Sequence, residues 1–215
     1  MGEWTDTVLV FLILINFLLL GSSRLGACIR FVAFQGILLG IFTLAVHREE
    51  ISLFRTLILA GASMGLKGAV FPWLLLRALR EANVRHEIEP FVGYTLSLLI
   101  GTLALAVSLW LSGRLPLPIP PVSSLLVPVS LFTILSGMFL IVSRRKALTQ
   151  VIGYLVLENG IYVFGVGVVE GTPMLVELGV LLDVFVAVFV MGIAIFHINR
   201  QFDHIDTDLL VTLRD

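Results

Sequence analysis

Three ionisable residues, Lys67, Glu158 and Asp183, each stand well inside a long apolar run. Lys67 is about 13 residues into its run, Glu158 about 10 and Asp183 about 9. At 1.5 Å of rise per residue, each is roughly 14–20 Å from its helix end. A charge that deep in a bilayer costs of order 2.5–3.5 kcal/mol on insertion scales and by default marks a function. One base and two acids at one depth form the pattern of a lateral proton path. The carboxylates can load and release protons, and an ammonium beside one of them sets its charge state.

A structural reading stands beside this one. Glu158 and its neighbour Asn159 could be static hydrogen-bonding groups within a helix bundle, and so could Asp183. Lys67 could neutralise one acid and do nothing else. Glu177 is only a turn into the last apolar run, which suits a partly wet, interfacial position. Asn16 and Gln35 have the character of polar groups that stitch spans together, and His47 sits at a loop edge. Gly153, Gly160, Gly165 and Gly167 around Glu158 suit close helix approach. Pro72, five residues after Lys67, removes a backbone donor and is expected to bend or open that helix.

The elements that carry these residues are apolar runs at 5–23, 26–46, 54–79, 91–112, 122–143, 148–169 and 174–198. Each is close to the ~20 residues a helix needs to cross the hydrocarbon. Polar segments separate them: Gly21 to Arg24, His47 to Glu50, Arg77 to Pro90, a linker with Pro116, Pro118, Pro120 and Pro121, Arg144 to Lys146, and Glu170 to Pro173. The chain is 58% hydrophobic and 13% charged, with a mean hydropathy of +1.06. A soluble domain carries roughly a quarter charged residues, so the expected fold is all-α, a polytopic membrane bundle of about seven transmembrane helices. The expected division is a four-span bundle over 1–115, a Pro-rich linker over 116–121, a three-span unit over 122–199 and a tail over 200–215. The first run starts with Glu3 and Asp6 rather than a basic segment and reads as a retained span.

Lysine and arginine placement gives an orientation. With the N-terminus outside, ten of the fourteen fall in cytoplasmic segments, namely Arg24, Arg30, Arg77, Arg80, Arg85, Arg144, Arg145, Lys146, Arg200 and Arg214. Arg48, Arg55 and Arg114 fall outside, and Lys67 lies within a span. The positive-inside rule therefore favours an odd span count with the C-terminus in the cytoplasm.

Several function classes are excluded or disfavoured. A formal net charge of −1 argues against a nucleic-acid partner. A single cysteine, Cys28, rules out an internal disulfide and provides no ligand set for an iron–sulfur cluster. The sequence has no Gly-rich phosphate loop, no metal-binding Cys/His cluster and no nucleophile elbow. The acids and histidines of the tail, with His197 and His204, are read as solvated charge or as a docking contact for a cytoplasmic partner, with metal binding the third option.

The stretch from Gly153 to Tyr162, followed by Val176 to Asp183 and Val186 to Gly192, resembles the hydrogenase-4 component E (HyfE) family. Its members are membrane subunits of formate hydrogenlyase and related group 4 [NiFe] hydrogenases. The resemblance runs along the chain, including the tail from Phe202 to Thr207, and is strongest from about residue 120. That final third is similar to the NuoK subunit of complex I and the MrpC subunit of multisubunit Na+/H+ antiporters. The resemblance implies membrane carboxylates on two successive helices. Glu158 occupies the first position and Asp183 falls near the second, where the family's usual Glu would be an Asp; Glu177 is the fallback. Over a short stretch, Lys67 to Trp73 resembles the lysine-then-proline helix of antiporter-like subunits.

These implications define the expected role: a non-catalytic membrane-arm subunit of a complex-I-like, energy-converting hydrogenase in the inner membrane of a prokaryote. Its proton or Na+ path would use Glu158, Asp183 and Lys67. This chain would hold no cofactor. Iron–sulfur clusters and any nickel–iron centre would belong to partner subunits, which would comprise antiporter-like and NuoH-like membrane chains and a peripheral redox arm. The alternatives are a subunit of a stand-alone cation/proton antiporter and a structural membrane scaffold.

Overall fold

The computed structural model describes residues 2–46, 61, 64–81, 91–116 and 123–168. With no water in a bilayer core to satisfy the backbone, apolar runs of this length are driven to bond internally as helices. The described elements are α1 (Gly2–Gly21), α2 (Leu25–Val46), a π-helical segment (Leu66–Val70) leading directly into α3 (Phe71–Glu81), α4 (Tyr94–Ser112), α5 (Leu126–Ser143) and α6 (Ala147–Val168). Five of these, α1, α2, α4, α5 and α6, are long and apolar enough to cross a membrane. The third run is described at residue 61 and from residue 64 onward. The seventh run, the tail and most of the Pro-rich linker lie outside the described residues, as does His47.

Side chains sort as a lipid-facing bundle requires. On α1, Phe11, Leu14 and Leu18 face outward, while Leu9, Leu12, Asn16 and Leu19 are buried. On α2, Phe34, Ile37 and Ile41 face outward, and Gln35, Leu39 and Phe42 are buried. α4 turns its large residues, among them Leu99, Leu103 and Trp110, away from the bundle and buries Ser97, Gly101 and Ser108. Where lipid is as apolar as leucine, small residues and interhelical hydrogen bonds bring helices together.

The α5–α6 hairpin is the most closely packed pair, and α1 and α2 lie against it. A Cβ added at Gly160 would come within 2.7 Å of the Ile134 backbone nitrogen, and one at Gly153 within 2.9 Å of the Gly137 carbonyl oxygen. Backbone therefore rests on backbone, and any side chain there would push the two helices apart. α2 also packs on the π-helical segment and α3, and α4 packs on α1 and α5.

The ends of the bundle are pinned by polar contacts. At one end, Ser123, just ahead of α5, donates its hydroxyl hydrogen to Asp6 near the start of α1. At the other, Arg144 of the α5–α6 turn donates to the carbonyls of Leu20 at 3.0 Å and Val92 at 3.4 Å. Its guanidinium also stacks on the Tyr94 ring, 4.6 Å from the centroid. Although it lies in a charged turn between two apolar runs, Arg144 is only 1% exposed. The last carbonyls of α1 have no helical partners, and a cation placed there satisfies them and favours the negative end of the helix dipole. Arg24 follows α1 at this same end, and Arg145 and Lys146 follow Arg144. Leu79 of α3 also approaches Gly26 of α2 here.

Candidate functional site

Lys67 is the second residue of the π-helical segment, and the local sequence explains the widened turn. Pro72 has no N–H to give residue 68, and its ring crowds that carbonyl in a regular α-helix. One residue earlier, the Phe71 N–H reaches back five residues to the Leu66 carbonyl. Such π turns add a residue to the helical repeat and tend to occur at functional sites. Gly36 of α2 lets this segment come close: a Cβ there would meet the Lys67 carbonyl carbon and Cβ at 2.7 Å.

So positioned, Lys67 reaches α6. Its Nζ donates to Glu158 Oε1 at 2.6 Å, and the two side chains are 6% and 4% exposed. A second contact goes to Asn159 Oδ1 at 3.4 Å. The ammonium also lies 5.1 Å from the centroid of the Tyr162 ring, one turn along α6 from Glu158. The Tyr162 hydroxyl is 2.9 Å from Thr43 Oγ1, which donates to the Leu39 carbonyl. Glu158 Oε2 is buried and has no hydrogen-bond partner among the described residues.

From Asn159 a line of polar groups crosses the bundle. Asn159 Nδ2 donates to Gln35 Oε1 at 3.3 Å, and Gln35 Nε2 donates to Asn16 Oδ1 at 2.9 Å. Asn16 Nδ2 donates to Thr133 Oγ1 at 2.8 Å, and Thr133 donates to the Val129 carbonyl at 2.7 Å. The line joins the π-helical segment, α6, α2, α1 and α5, and all of its side chains are at most 5% exposed.

Two of the candidate path residues, Lys67 and Glu158, are thus brought into direct contact. The other two, Asp183 and Glu177, lie outside the described residues. Asn16 and Gln35, expected to stitch spans, are placed in the line leading to the ion pair. Thr133 and Tyr162 were not singled out. Tyr162 could have been, since its i,i+4 spacing from Glu158 puts both on one face of α6. For Thr133, one hydroxyl in an apolar run, the sequence holds no such signal.

No family model matches the chain, and no solved structure matches it. Hydrogenase-4 component E of Escherichia coli strain K12 is 26% identical over 158 residues, covering 74% of this chain and 73% of that protein. The component of the same name from Shigella flexneri matches equally. The uncharacterized protein Rv0085 of Mycobacterium tuberculosis is 34% identical over 207 residues, covering 95% of this chain and 93% of the relative. With that identity over nearly the whole of both chains, this apolar helical protein belongs to the family of the uncharacterized mycobacterial protein Rv0085.

Proposed function

We propose that the chain is a non-catalytic membrane subunit of a complex-I-like, energy-converting hydrogenase of the formate hydrogenlyase type. In this reading Lys67 and Glu158 form part of a midplane path for protons or Na+, coupled to electron transfer in partner subunits. The observation that carries the reading is the buried Lys67–Glu158 ion pair, whose second carboxylate oxygen has no partner among the described residues. A lysine and a glutamate buried together in a membrane bundle are expensive to keep, and the pair sits in a π-widened turn. The distant likeness to hydrogenase-4 component E supports membership of a multisubunit membrane complex.

The finer parts of the reading extend from there. Asp183 is the second acid of the path, with Glu177 as the fallback, and the last three spans form a unit similar to NuoK and MrpC. The first four spans brace that unit against antiporter-like and NuoH-like neighbours. Iron–sulfur clusters and a nickel–iron centre reside in the partner subunits. The end that holds Arg24 and Arg144 to Lys146 is the cytoplasmic one by the positive-inside rule, in the inner membrane of a prokaryote with seven spans in all.

A scaffold role is the second reading, favoured by the amide line that ties α1, α2, α5 and α6 together. Glu158→Gln in the assembled complex separates the two. The path reading expects subunits to co-purify at wild-type ratios while ion movement per electron transferred falls at least tenfold. Unchanged coupling in that variant leaves the scaffold reading standing. Purification of the intact assembly with no redox subunit would instead point to a stand-alone antiporter.

A further inference from the structure

The amide line has a direction, and both of its ends dictate it. The Lys67 ammonium can only donate, so Asn159 must present its carbonyl oxygen to it. That leaves the Asn159 NH2 for Gln35, the Gln35 NH2 for Asn16 and the Asn16 NH2 for Thr133. Thr133 in turn gives its hydrogen to the Val129 carbonyl, which can only accept. All three amides therefore stand with the negative end of their dipole toward Lys67, and dipoles aligned in series in a low dielectric reinforce one another. An amide has neither a basic nitrogen nor a readily lost proton, so this line holds charge in place without relaying protons.

We propose that Asn159, Gln35 and Asn16 form a polarised amide chain that positions the Lys67 ammonium on Glu158 Oε1, with Gln35 and Asn16 acting as positioning residues. The chain closes the α1–α5 side of the pair to proton transfer, so exchange at the pair proceeds through the carboxylate of Glu158. The positional claim is independent of ion transport; only the remark about exchange rests on the function proposed above.

The sequence contains two lysines, Lys67 and Lys146, so side-chain NMR reads the site directly. The full chain is labelled with 13C,15N-lysine in lipid nanodiscs, and Lys146→Arg assigns the two Nζ signals. Gln35→Met keeps the length of the side chain and removes two links. It is expected to shift the Lys67 signal and to speed its hydrogen exchange with water at least tenfold. Thr133→Val, four hydrogen bonds away from the ammonium and close to isosteric, is expected to shift the same signal in the same sense by less. Ser130→Ala on the same helix, whose hydroxyl donates to the Val127 carbonyl, is expected to leave it in place. If Gln35→Met does not fold, Thr133→Val against Ser130→Ala decides alone. A Lys67 signal indifferent to Thr133→Val, or moved as far by Ser130→Ala, overturns the proposal. Because the spectra involve no transport, that failure leaves the Glu158→Gln coupling test untouched. Conversely, a chain that holds while Glu158→Gln stays coupled removes the ion path alone.

Discussion

The Lys67 ammonium meets one oxygen of Glu158 at 2.6 Å, while the other oxygen of the same carboxylate meets no partner among the described residues. The energetic consequence concerns the pair as a unit. Removing one member strands the other as a buried charge, which costs about 3–5 kcal/mol, whereas replacing both with apolar residues avoids that penalty.

Lys67→Met and Glu158→Leu should therefore each destabilise the purified chain by about 3–5 kcal/mol, and the double variant by much less than their sum. Unfolding in mixed micelles of increasing SDS fraction measures all three. Additive losses would show that the two side chains do not depend on each other.

Gly36 makes a second prediction. Its missing side chain lets α2 lie against the backbone of Lys67, where a Cβ would stand 2.7 Å from the carbonyl carbon. Gly36→Ala forces α2 and the π-helical segment apart and costs about 1–3 kcal/mol, the usual range for overpacking. The loss should be smaller in a Lys67→Met/Glu158→Leu background, because there the displaced segment no longer has an ion pair to break. Equal losses in both backgrounds would mean that the close approach serves packing alone.

That Lys67 and Glu158 stand inside apolar helices was legible in the sequence, and their partnership was not. Lys67 and Glu158 stood out because a charge interrupts an apolar run wherever the run is read. What the runs conceal is rotation. α1, α2 and α6 are apolar on nearly every face, so nothing in their periodicity shows that Asn16, Gln35 and Asn159 turn toward one another. The π turn was hidden for a related reason: Pro72 announced a disturbance, but one residue of added register leaves no mark on composition. The sequence placed Arg144, Arg145 and Lys146 together in a turn between spans but could not show that Arg144 is buried, because the three look alike as a charged turn. Arg144 reaches the Leu20 carbonyl near the end of α1.

The position of Arg144 predicts that lysine cannot replace it. Its guanidinium serves two carbonyls on separate segments, Leu20 and Val92, and lies over the Tyr94 ring. A planar fork with several fixed donors can do this; an ammonium is a compact point charge on a flexible stem. Arg144→Lys should lose about 1–3 kcal/mol, the cost of leaving a buried carbonyl without its partner. Arg145→Lys in the same turn, where the exposed guanidinium lies 4.6 Å from the Phe91 ring centroid, should lose less, at most about 1 kcal/mol. The same micelle titration compares them, and equal stability of the two variants would contradict the role assigned to Arg144.

Tyr162 touches the site in two ways that substitution can separate. Its ring lies 5.1 Å from the Lys67 ammonium, and its hydroxyl lies 2.9 Å from Thr43 Oγ1. Thr43 has already given its own hydrogen to the Leu39 carbonyl, so Tyr162 is the donor between them. Tyr162→Phe keeps the ring under the lysine and deletes a neutral hydrogen bond between helices, worth about 0.6 kcal/mol on average in membranes. Tyr162→Leu removes the π face as well, and a desolvated cation on an aromatic face contributes up to about 2 kcal/mol. The leucine variant should therefore be the less stable of the two and should shift the Lys67 Nζ resonance, which the phenylalanine variant leaves close to its wild-type position. The reverse order would mean that the bond to Thr43, and not the ring, is what Tyr162 contributes to the pair.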